Sequence, residues 1–133
     1  MHVPRFWRET QRRYNLIGNE CTVCGRKYFP PRPVCPECHR LSIGKMKDFK
    51  FSGEGEVFTY TVVHSGVNAF EYQVPYIMAI IELKEGARLT GQIVDVEPEN
   101  VKIGMKVQAT FRKIGEDGSA GMIYYGYKFK PVE

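Results

Sequence analysis

The strongest chemical signal in this sequence is a set of four cysteines. Cys21 and Cys24 form one C-x2-C pair, Cys35 and Cys38 form a second, and ten residues separate the two pairs. A gap of two residues lets both thiolates of a pair reach one tetrahedral ion at about 2.3 Å, so that two such knuckles complete a four-sulfur site. The spacing predicts one structural zinc ion with no coordination position left for a substrate.

Other chemistries also use paired cysteines. A rubredoxin-type iron takes four thiolates, two disulfides form in oxidising compartments, and a redox C-x-x-C motif normally belongs to a βαβ unit. The N-terminal residues lack the apolar core of a signal peptide, and no stretch approaches the roughly 20 apolar residues of a membrane span. We therefore expect a cytoplasmic protein without disulfides, in which zinc is favoured over iron.

The sequence offers no recognisable catalytic constellation beside the cysteines. Once these are assigned to a metal, the remaining histidines are His2, His39 and His64, and none belongs to a Ser/His/Asp or metal-hydrolase motif. We expect His39 at the surface or behind the metal ligands. His64 shares a predicted strand face with apolar residues, which indicates a partly buried structural histidine. A protein without its own enzymatic activity is predicted.

Positive charge is concentrated in the part of the chain that holds the cysteines. Residues 1–50 carry eleven Lys or Arg and four acids, whereas residues 51–133 carry eight bases and eleven acids. Zinc bound to four thiolates contributes −2, which lowers the excess of the first part from +7 to +5. An anionic ligand or partner is one explanation of this excess, and a solvated basic face is the other.

A helical arm is predicted ahead of the cysteines, over residues 4–16. Phe6, Thr10, Tyr14 and Ile17 fall at helical spacing on one face, and arginines occupy another face. So short a helix cannot bury its aromatic side chains alone. The arm should therefore lie on another module or on a partner chain.

Beyond Phe51 the sequence is typical of β-structure. Strands are predicted at 57–64, 76–83, 87–96, 105–112 and 120–130, with 76–83 buried on both faces. Phe58, Phe111 and Phe129 are expected in the core, whereas Tyr124, Tyr125 and Tyr127 are too clustered for all to be buried and predict an exposed contact stripe.

Five strands in about 80 residues favour a barrel of the OB type, because a sandwich usually needs about seven. The predicted fold class is mainly β. It comprises a helical arm over residues 1–18, a zinc ribbon over 19–50 and a five-stranded OB-fold barrel over 51–133.

An ordered set of motifs resembles a known family. The motifs are Phe6-Trp7, Cys21-x-x-Cys24-Gly25, Pro30-Pro31-Arg32-x-x-Cys35-Pro36-x-Cys38, Gly53-x-Gly55-x-Val57, Tyr60-Thr61-Val62-Val63-His64, Pro75-Tyr76, Gly91 and Ile103-Gly104-Met105-x-Val107. Together they resemble the proteins first catalogued as domain of unknown function 35 (DUF35), and the match covers nearly the whole chain. The resemblance implies a helical arm, a rubredoxin-like ribbon and an OB barrel.

The resemblance also implies a function. Members of this family are associated with thiolase-type or 3-hydroxy-3-methylglutaryl-CoA synthase enzymes of archaea and bacteria. In the archaeal mevalonate pathway such a protein looks like a scaffold that bridges acetoacetyl-CoA thiolase to the synthase and helps to form a shared CoA-binding site. A non-catalytic accessory subunit that contributes to acyl-CoA binding is thus implied, with those enzymes as partners and no membrane.

Candidate contacts to CoA or to a partner combine bases, which suit phosphates, with aromatic side chains. They are Arg5, Trp7, Arg12, Phe70, Tyr72, Tyr76, Arg112, Lys113 and Tyr125. The alternative function is single-stranded nucleic-acid binding, which needs exposed aromatics on the second and third strands and a basic groove. It is less favoured, because the second strand is aliphatic after Tyr76 and the barrel segment carries −3.

Overall fold

The computed structural model describes residues 3–66, 74–116 and 118–132. The arm contains two short helices, α1 (Val3–Arg8) and α2 (Thr10–Asn15). A three-stranded ribbon sheet follows, formed by β1 (Ile17–Cys21), β2 (Lys27–Tyr28) and β3 (Met46–Lys50) in the order β2-β1-β3. The barrel contains β4 (Glu54–Val63), β5 (Tyr76–Leu83), β6 (Arg88–Ile93), β7 (Lys106–Glu116) and β8 (Ile123–Pro131). The predicted mainly β architecture is confirmed.

The barrel strands close in the order β4-β5-β6-β8-β7. Neighbours pair antiparallel except β6 and β8, which are parallel and meet at Ile93 and Phe129. This closed five-stranded arrangement confirms the expected OB-fold. Phe129 is fully buried in the core, and a Cβ added at Gly91 would lie 2.8 Å from its ring. Gly91 is therefore the residue that lets β6 approach this ring.

The prediction that residues 76–83 are buried on both faces is wrong. Side chains of β5 alternate: Ile77, Ala79 and Ile81 are buried, whereas Met78 and Ile80 are 40% and 37% exposed. An antiparallel barrel strand packs one face on the core and leaves the other on the outside, so an apolar run does not by itself establish two buried faces.

Two aromatic residues expected in the core lie outside it. Phe58 is 46% exposed because the β4–β5 pairing shifts between Val57 and Thr59, which turns the bulged residue outward. Phe111 is 49% exposed because it lies on a part of β7 that pairs only with β8, beyond the short pairing with β4 at residues 106–108. The expectation of a buried core side chain was correct for Phe129.

The arm is two helices rather than one, and it lies on its own barrel. Leu16 adopts a left-handed conformation (φ 51°) that ends α2, so the next residue begins β1 instead of extending the helical face. Phe6 is 1% exposed and its ring centroid is 4.5 Å from that of Tyr124. Tyr14 packs edge-on against Phe111, with centroids 5.1 Å apart.

These contacts correct the expected exposed tyrosine stripe. Tyr124 is buried beneath Phe6, and Tyr125 stacks on Phe111 at 5.2 Å between centroids. Tyr127 meets Phe29 of the ribbon at 5.5 Å. The tyrosines are covered because the arm and the ribbon supply aromatic partners that the β-strand pattern alone does not reveal.

The expectation for His64 is also wrong. The imidazole is exposed, because β4 ends at Val63, whose pairing with Tyr76 is the last in the ladder. His64 therefore lies beyond the face that it was expected to share with apolar neighbours.

Candidate metal centre and ligand cleft

The four cysteine sulfurs converge on one point. All lie within 4.8 Å of one another. The Sγ atoms of Cys21 and Cys38 are 3.9 Å apart and those of Cys24 and Cys35 are 3.6 Å apart. A tetrahedral ion with bonds of about 2.3 Å to sulfur requires sulfur–sulfur distances of about 3.8 Å. The donor set and its spacing therefore fit one four-coordinate metal ion.

Backbone geometry at both knuckles aims the sulfurs inward. In the first knuckle, the Gly25 N–H donates to the Cys21 carbonyl at 2.8 Å, and Gly25 has a φ of 78°. In the second, the His39 N–H donates to the Cys35 carbonyl at 2.9 Å. His39 itself is exposed and does not belong to the sulfur cluster, in agreement with a surface position.

Ser42 supports the second knuckle and was not identified from the sequence. Its fully buried hydroxyl accepts a hydrogen bond from the Cys35 N–H at 2.8 Å and donates one to the His39 carbonyl at 2.7 Å. The 3-10 turn His39–Ser42 is thereby tied to a metal ligand. A small hydroxyl residue four positions after the last cysteine was the available signal.

Electrostatics within the cluster also indicate a cation. The Tyr28 hydroxyl lies 3.2 Å from Cys35 Sγ, and this hydrogen bond lowers the pKa of the Cys35 thiol to about 6 while raising the pKa of Tyr28 to about 12. Desolvation raises the pKa of Cys38 to about 12. Four thiolates cannot remain together at neutral pH without a compensating positive charge, which a bound divalent ion supplies. The site thus fits a metal ion held by four cysteines.

A second feature is a cleft of about 430 Å³ where the barrel, the arm and the ribbon meet. Its wall is mainly apolar and aromatic, formed by Phe6, Phe29, Pro30, Tyr76, Met78, Ile114, Tyr125 and Tyr127. Arg13 and Lys128 supply its charged groups, and no acid is among the described residues that line it. Lys128 is 6% exposed, and burial lowers the pKa of its ammonium group. These features suit an apolar ligand with a negative end.

A basic groove of about 560 Å³ continues from this cleft between the arm and the ribbon. The two cavities share Arg13, Phe29 and Pro30. The groove adds three further arginines, Arg5, Arg12 and Arg32, and one acid, Glu9. Buried Asn19 fixes the backbone of Arg32, because its amide donates to the Arg32 carbonyl at 2.5 Å and accepts from the Arg32 N–H at 3.2 Å.

Arg12 carries a donor without an acceptor. Its Nη1 atom is buried, makes no hydrogen bond within the described residues and lies 3.7 Å from an oxygen of Asp48, whereas the Nε atom of the same guanidinium pairs with Glu9 at 3.2 Å. A buried guanidinium nitrogen without an acceptor is costly. An anionic ligand in the groove would satisfy it.

Four of the contact residues predicted from the sequence line these cavities. Arg5 and Arg12 line the groove, and Tyr76 and Tyr125 line the cleft. Sequence reasoning missed Arg13, Arg32 and Lys128. Arg13 lies in the helical arm and Arg32 in a proline-rich segment, and both segments are visibly basic in the sequence. Nothing in the sequence shows that Lys128 in β8 is buried.

The other predicted contacts lie elsewhere. Trp7 is 70% exposed and lines neither cavity. Arg112 pairs with Asp95 at 3.0 Å, and Lys113 pairs with Glu116 at 3.0 Å, both on the long β7–β8 hairpin side of the barrel. Phe70 and Tyr72 lie outside the described residues.

Within residues 3–66, 74–116 and 118–132, no helix has the length and apolarity that a membrane crossing requires.

Comparison with known proteins agrees with this architecture. Residues 12–43 match the rubredoxin-like zinc ribbon domain of ChsH2, and residues 50–112 match the C-terminal OB-fold domain of ChsH2. The chain is 56% identical over 131 residues to a DUF35 domain-containing scaffold protein of Methanocaldococcus jannaschii, an alignment that covers 98% of this chain and 92% of the relative.

Two further relatives belong to larger assemblies or chains. The solved Ltp2-ChsH2(DUF35) aldolase superposes with a TM-score of 0.73 at 31% identity, covering 95% of this chain and 90% of that one. A probable enoyl-CoA hydratase alpha subunit of Thermomonospora curvata is 32% identical over 77% of this chain and 31% of its own length. The ribbon, the barrel and these similarities together show that the chain belongs to the DUF35 family.

Proposed function

We propose that this protein is a non-catalytic scaffold subunit of a thiolase-fold acyl-CoA enzyme complex and that it contributes to the binding of acyl-CoA. The observation that carries the proposal is the apolar cleft that continues into an arginine groove. CoA joins an acyl-pantetheine chain to a pyrophosphate and an adenosine 3′-phosphate. The two ends of this ligand match the two parts of the cavity in polarity and charge.

The groove supplies the phosphate-binding part of this proposal. Guanidinium groups bind phosphate oxygens with paired hydrogen bonds, and Arg12 already holds a buried nitrogen that lacks an acceptor. Arg5, Arg13 and Arg32 line the same groove. The aromatic wall of the cleft provides apolar surface for the acyl and pantetheine part.

The role as a scaffold is supported by relatives. The relative from Methanocaldococcus jannaschii is named a scaffold protein, and the solved neighbour is the ChsH2 component of an aldolase. We propose acetoacetyl-CoA thiolase and 3-hydroxy-3-methylglutaryl-CoA synthase of the mevalonate pathway as the partners, in the cytoplasm. Trp7, exposed on the arm, is proposed as a partner contact, because large exposed aromatics are frequent hot spots.

Zinc is the proposed metal of the four-cysteine site. Cys21, Cys24, Cys35 and Cys38 would hold it, and with four sulfur ligands it would serve to crosslink the two knuckles. A structural ion leaves this chain without a metal-activated nucleophile. The pure protein should therefore show no turnover of acyl-CoA esters.

Ligand titration tests the CoA site. Acetoacetyl-CoA is titrated calorimetrically into the wild type, Arg12→Ala, Arg32→Ala and the control Arg112→Ala, alone and in the presence of the thiolase. Each groove variant should bind at least about tenfold more weakly, because a charged hydrogen bond contributes about 1.5–3 kcal/mol. The control, whose arginine pairs with Asp95 outside both cavities, should bind like the wild type. Equal affinity of all four proteins would contradict the assignment.

Partner titration tests the scaffold role against the nucleic-acid alternative. Met78, Ile80, Arg88 and Thr90, which point outward from β5 and β6, are not aromatic, so these positions offer no stacking platform for single strands. The aromatic side chains beside Met78 and Thr90 are those that line the cleft. The protein is titrated with the thiolase, with the synthase and with single-stranded RNA or DNA at near-physiological salt. We expect an enzyme complex that Trp7→Ala weakens with the metal retained. Micromolar nucleic-acid binding without any enzyme complex would refute the proposal.

A further inference from the structure

We infer that the metal end of the ribbon is a docking surface for an acidic partner protein. The metal-binding segment carries four exposed aliphatic residues, which we call the ribbon patch: Val23, Val34, Leu41 and Ile43. Their exposed fractions are 51%, 38%, 74% and 63%. The inference rests on the proposed function only for the identity of the partner, and it names the surface that makes the contact.

The ribbon patch is built on both metal knuckles. Val23 lies between the first two cysteines, Val34 precedes Cys35, and Leu41 and Ile43 follow the last cysteine. The segment that carries Leu41 and Ile43 is tied to the first knuckle, because the Thr22 N–H and hydroxyl both donate to the Lys45 carbonyl, at 3.0 and 2.7 Å. Hydrogen bonds of buried Ser42 to Cys35 and His39 hold it to the second knuckle.

This arrangement makes the exposed apolar surface rigid. A bound metal fixes the two knuckles, and the hydrogen bonds fix the turn to them. A preorganised surface loses little conformational entropy when it docks. Single exposed aliphatic residues are ordinary on a protein surface, whereas four around one rigid site indicate an interface.

The ribbon patch lies outside the core of the described residues. The buried core that joins the ribbon to the barrel includes Leu16 and Phe51, with Phe29 and Phe49 packed against it. None of the four aliphatic residues belongs to that core. The core therefore leaves their exposed surface uncovered.

Charge indicates the partner. Residues 19–50 contain seven Lys or Arg and three acids, so the ribbon remains positive when a four-thiolate zinc site contributes −2. Arg40 and Lys45 flank Leu41 and Ile43 and form no ion pair with any described residue. A protein surface with an apolar centre and a rim of carboxylates complements this combination.

Other macromolecules fit the ribbon patch less well. Single-stranded nucleic acid is bound through aromatic stacking, and the patch has no aromatic side chain. Membrane-surface anchors use long amphipathic helices with Trp or Phe, whereas Leu41 belongs to a four-residue 3-10 turn. We therefore infer that an acidic protein binds the ribbon patch.

Charge substitutions test the ribbon patch. Leu41→Glu and Ile43→Glu are compared with Ile103→Glu, a matched control because Ile103 is 68% exposed on the barrel. Affinity for purified acetoacetyl-CoA thiolase and for the synthase is measured by surface plasmon resonance, with metal content and circular dichroism as folding controls. Each patch variant should bind at least about tenfold more weakly with its metal retained, and the control should stay within about twofold of the wild type.

The outcomes separate this inference from the proposed function. Enzyme binding that both patch variants retain would overturn the ribbon patch and leave the scaffold role intact. If the wild type binds neither enzyme, the scaffold role with these partners fails. A second experiment then tests the ribbon patch: a photo-crosslinking amino acid is placed at position 41 or at position 103, and the protein is crosslinked in its native cytosol.

In that second experiment, the expected product is an acidic protein crosslinked from position 41 and not from 103. Its purified form should bind the wild type and lose affinity for Leu41→Glu. Absence of a crosslinked protein, or crosslinks only to nucleic acid or lipid, would overturn the inference.

Discussion

Replacing Phe6 by alanine should detach the arm from the barrel. The side chain is 1% exposed, its ring is 4.5 Å from that of Tyr124, and the Arg13 guanidinium carbon lies 5.0 Å from the ring centroid. Truncating a buried phenylalanine costs about 3–5 kcal/mol. That loss lowers the equilibrium constant for packing of the arm on its own barrel by about two to three and a half orders of magnitude.

The detached arm should be unfolded, because α1 and α2 have six residues each and helices of this length are not stable alone. Arg8, Arg12 and Arg13 are trypsin sites within it. When the arm recloses faster than it is cut, the cleavage rate follows the population of the open form. Limited trypsin proteolysis, followed by mass spectrometry, should show cleavage in the arm at least about 100-fold faster than in the wild type.

Trp7→Ala provides the matched control. Trp7 is the next residue of the same helix but is 70% exposed, so its truncation should leave the cleavage rate close to that of the wild type. Equal resistance of Phe6→Ala and the wild type would show that Phe6 does not hold the arm. Equally fast cleavage after Lys128, which is buried in β8 and precedes Phe129, would show global unfolding in place of local detachment.

Three further predictions concern the metal and the barrel. Chelation should release about one equivalent of zinc and unfold the ribbon, because metal binding at such sites contributes about 10–16 kcal/mol to folding. Metal analysis would detect the released ion and circular dichroism the unfolding. A metal-free ribbon that stays folded would contradict this prediction. Tyr28→Phe removes the hydrogen-bond donor that lowers the pKa of Cys35 to about 6. The Cys35 thiolate of this variant should therefore take up a proton, and the site release its metal, at a higher pH than in the wild type. An acid titration followed with a zinc-sensitive dye measures the release pH, and an unshifted or lowered value would refute the role of the hydroxyl. Gly91→Ala should destabilise the fold by about 1–3 kcal/mol in thermal melts, because its Cβ would lie 2.8 Å from the Phe129 ring, whereas Gly115→Ala, with nothing within 4 Å, should have little effect.

The metal site could be predicted from the sequence because its geometry is local. Two residues between the cysteines of a pair are enough to bring both sulfurs to one ion, whatever the rest of the chain does. Strand periodicity and turn residues likewise predicted a five-stranded barrel, because the alternation of apolar side chains is a property of each strand. The four sulfurs and the closed barrel are found as these patterns indicate.

The ligand cavity was decided only by the tertiary structure. Its wall joins Phe6 of the arm, Phe29 of the ribbon, Met78 of β5 and Tyr127 of β8, which are far apart in sequence. The exposure of the aromatic side chains also depends on tertiary features. Phe58 lies at a β-bulge, Phe111 lies where β7 pairs only with β8, and the tyrosines of β8 are covered by the arm and the ribbon. Those features arise from long-range packing, which no local periodicity encodes, and they determine which basic and aromatic residues face the same ligand.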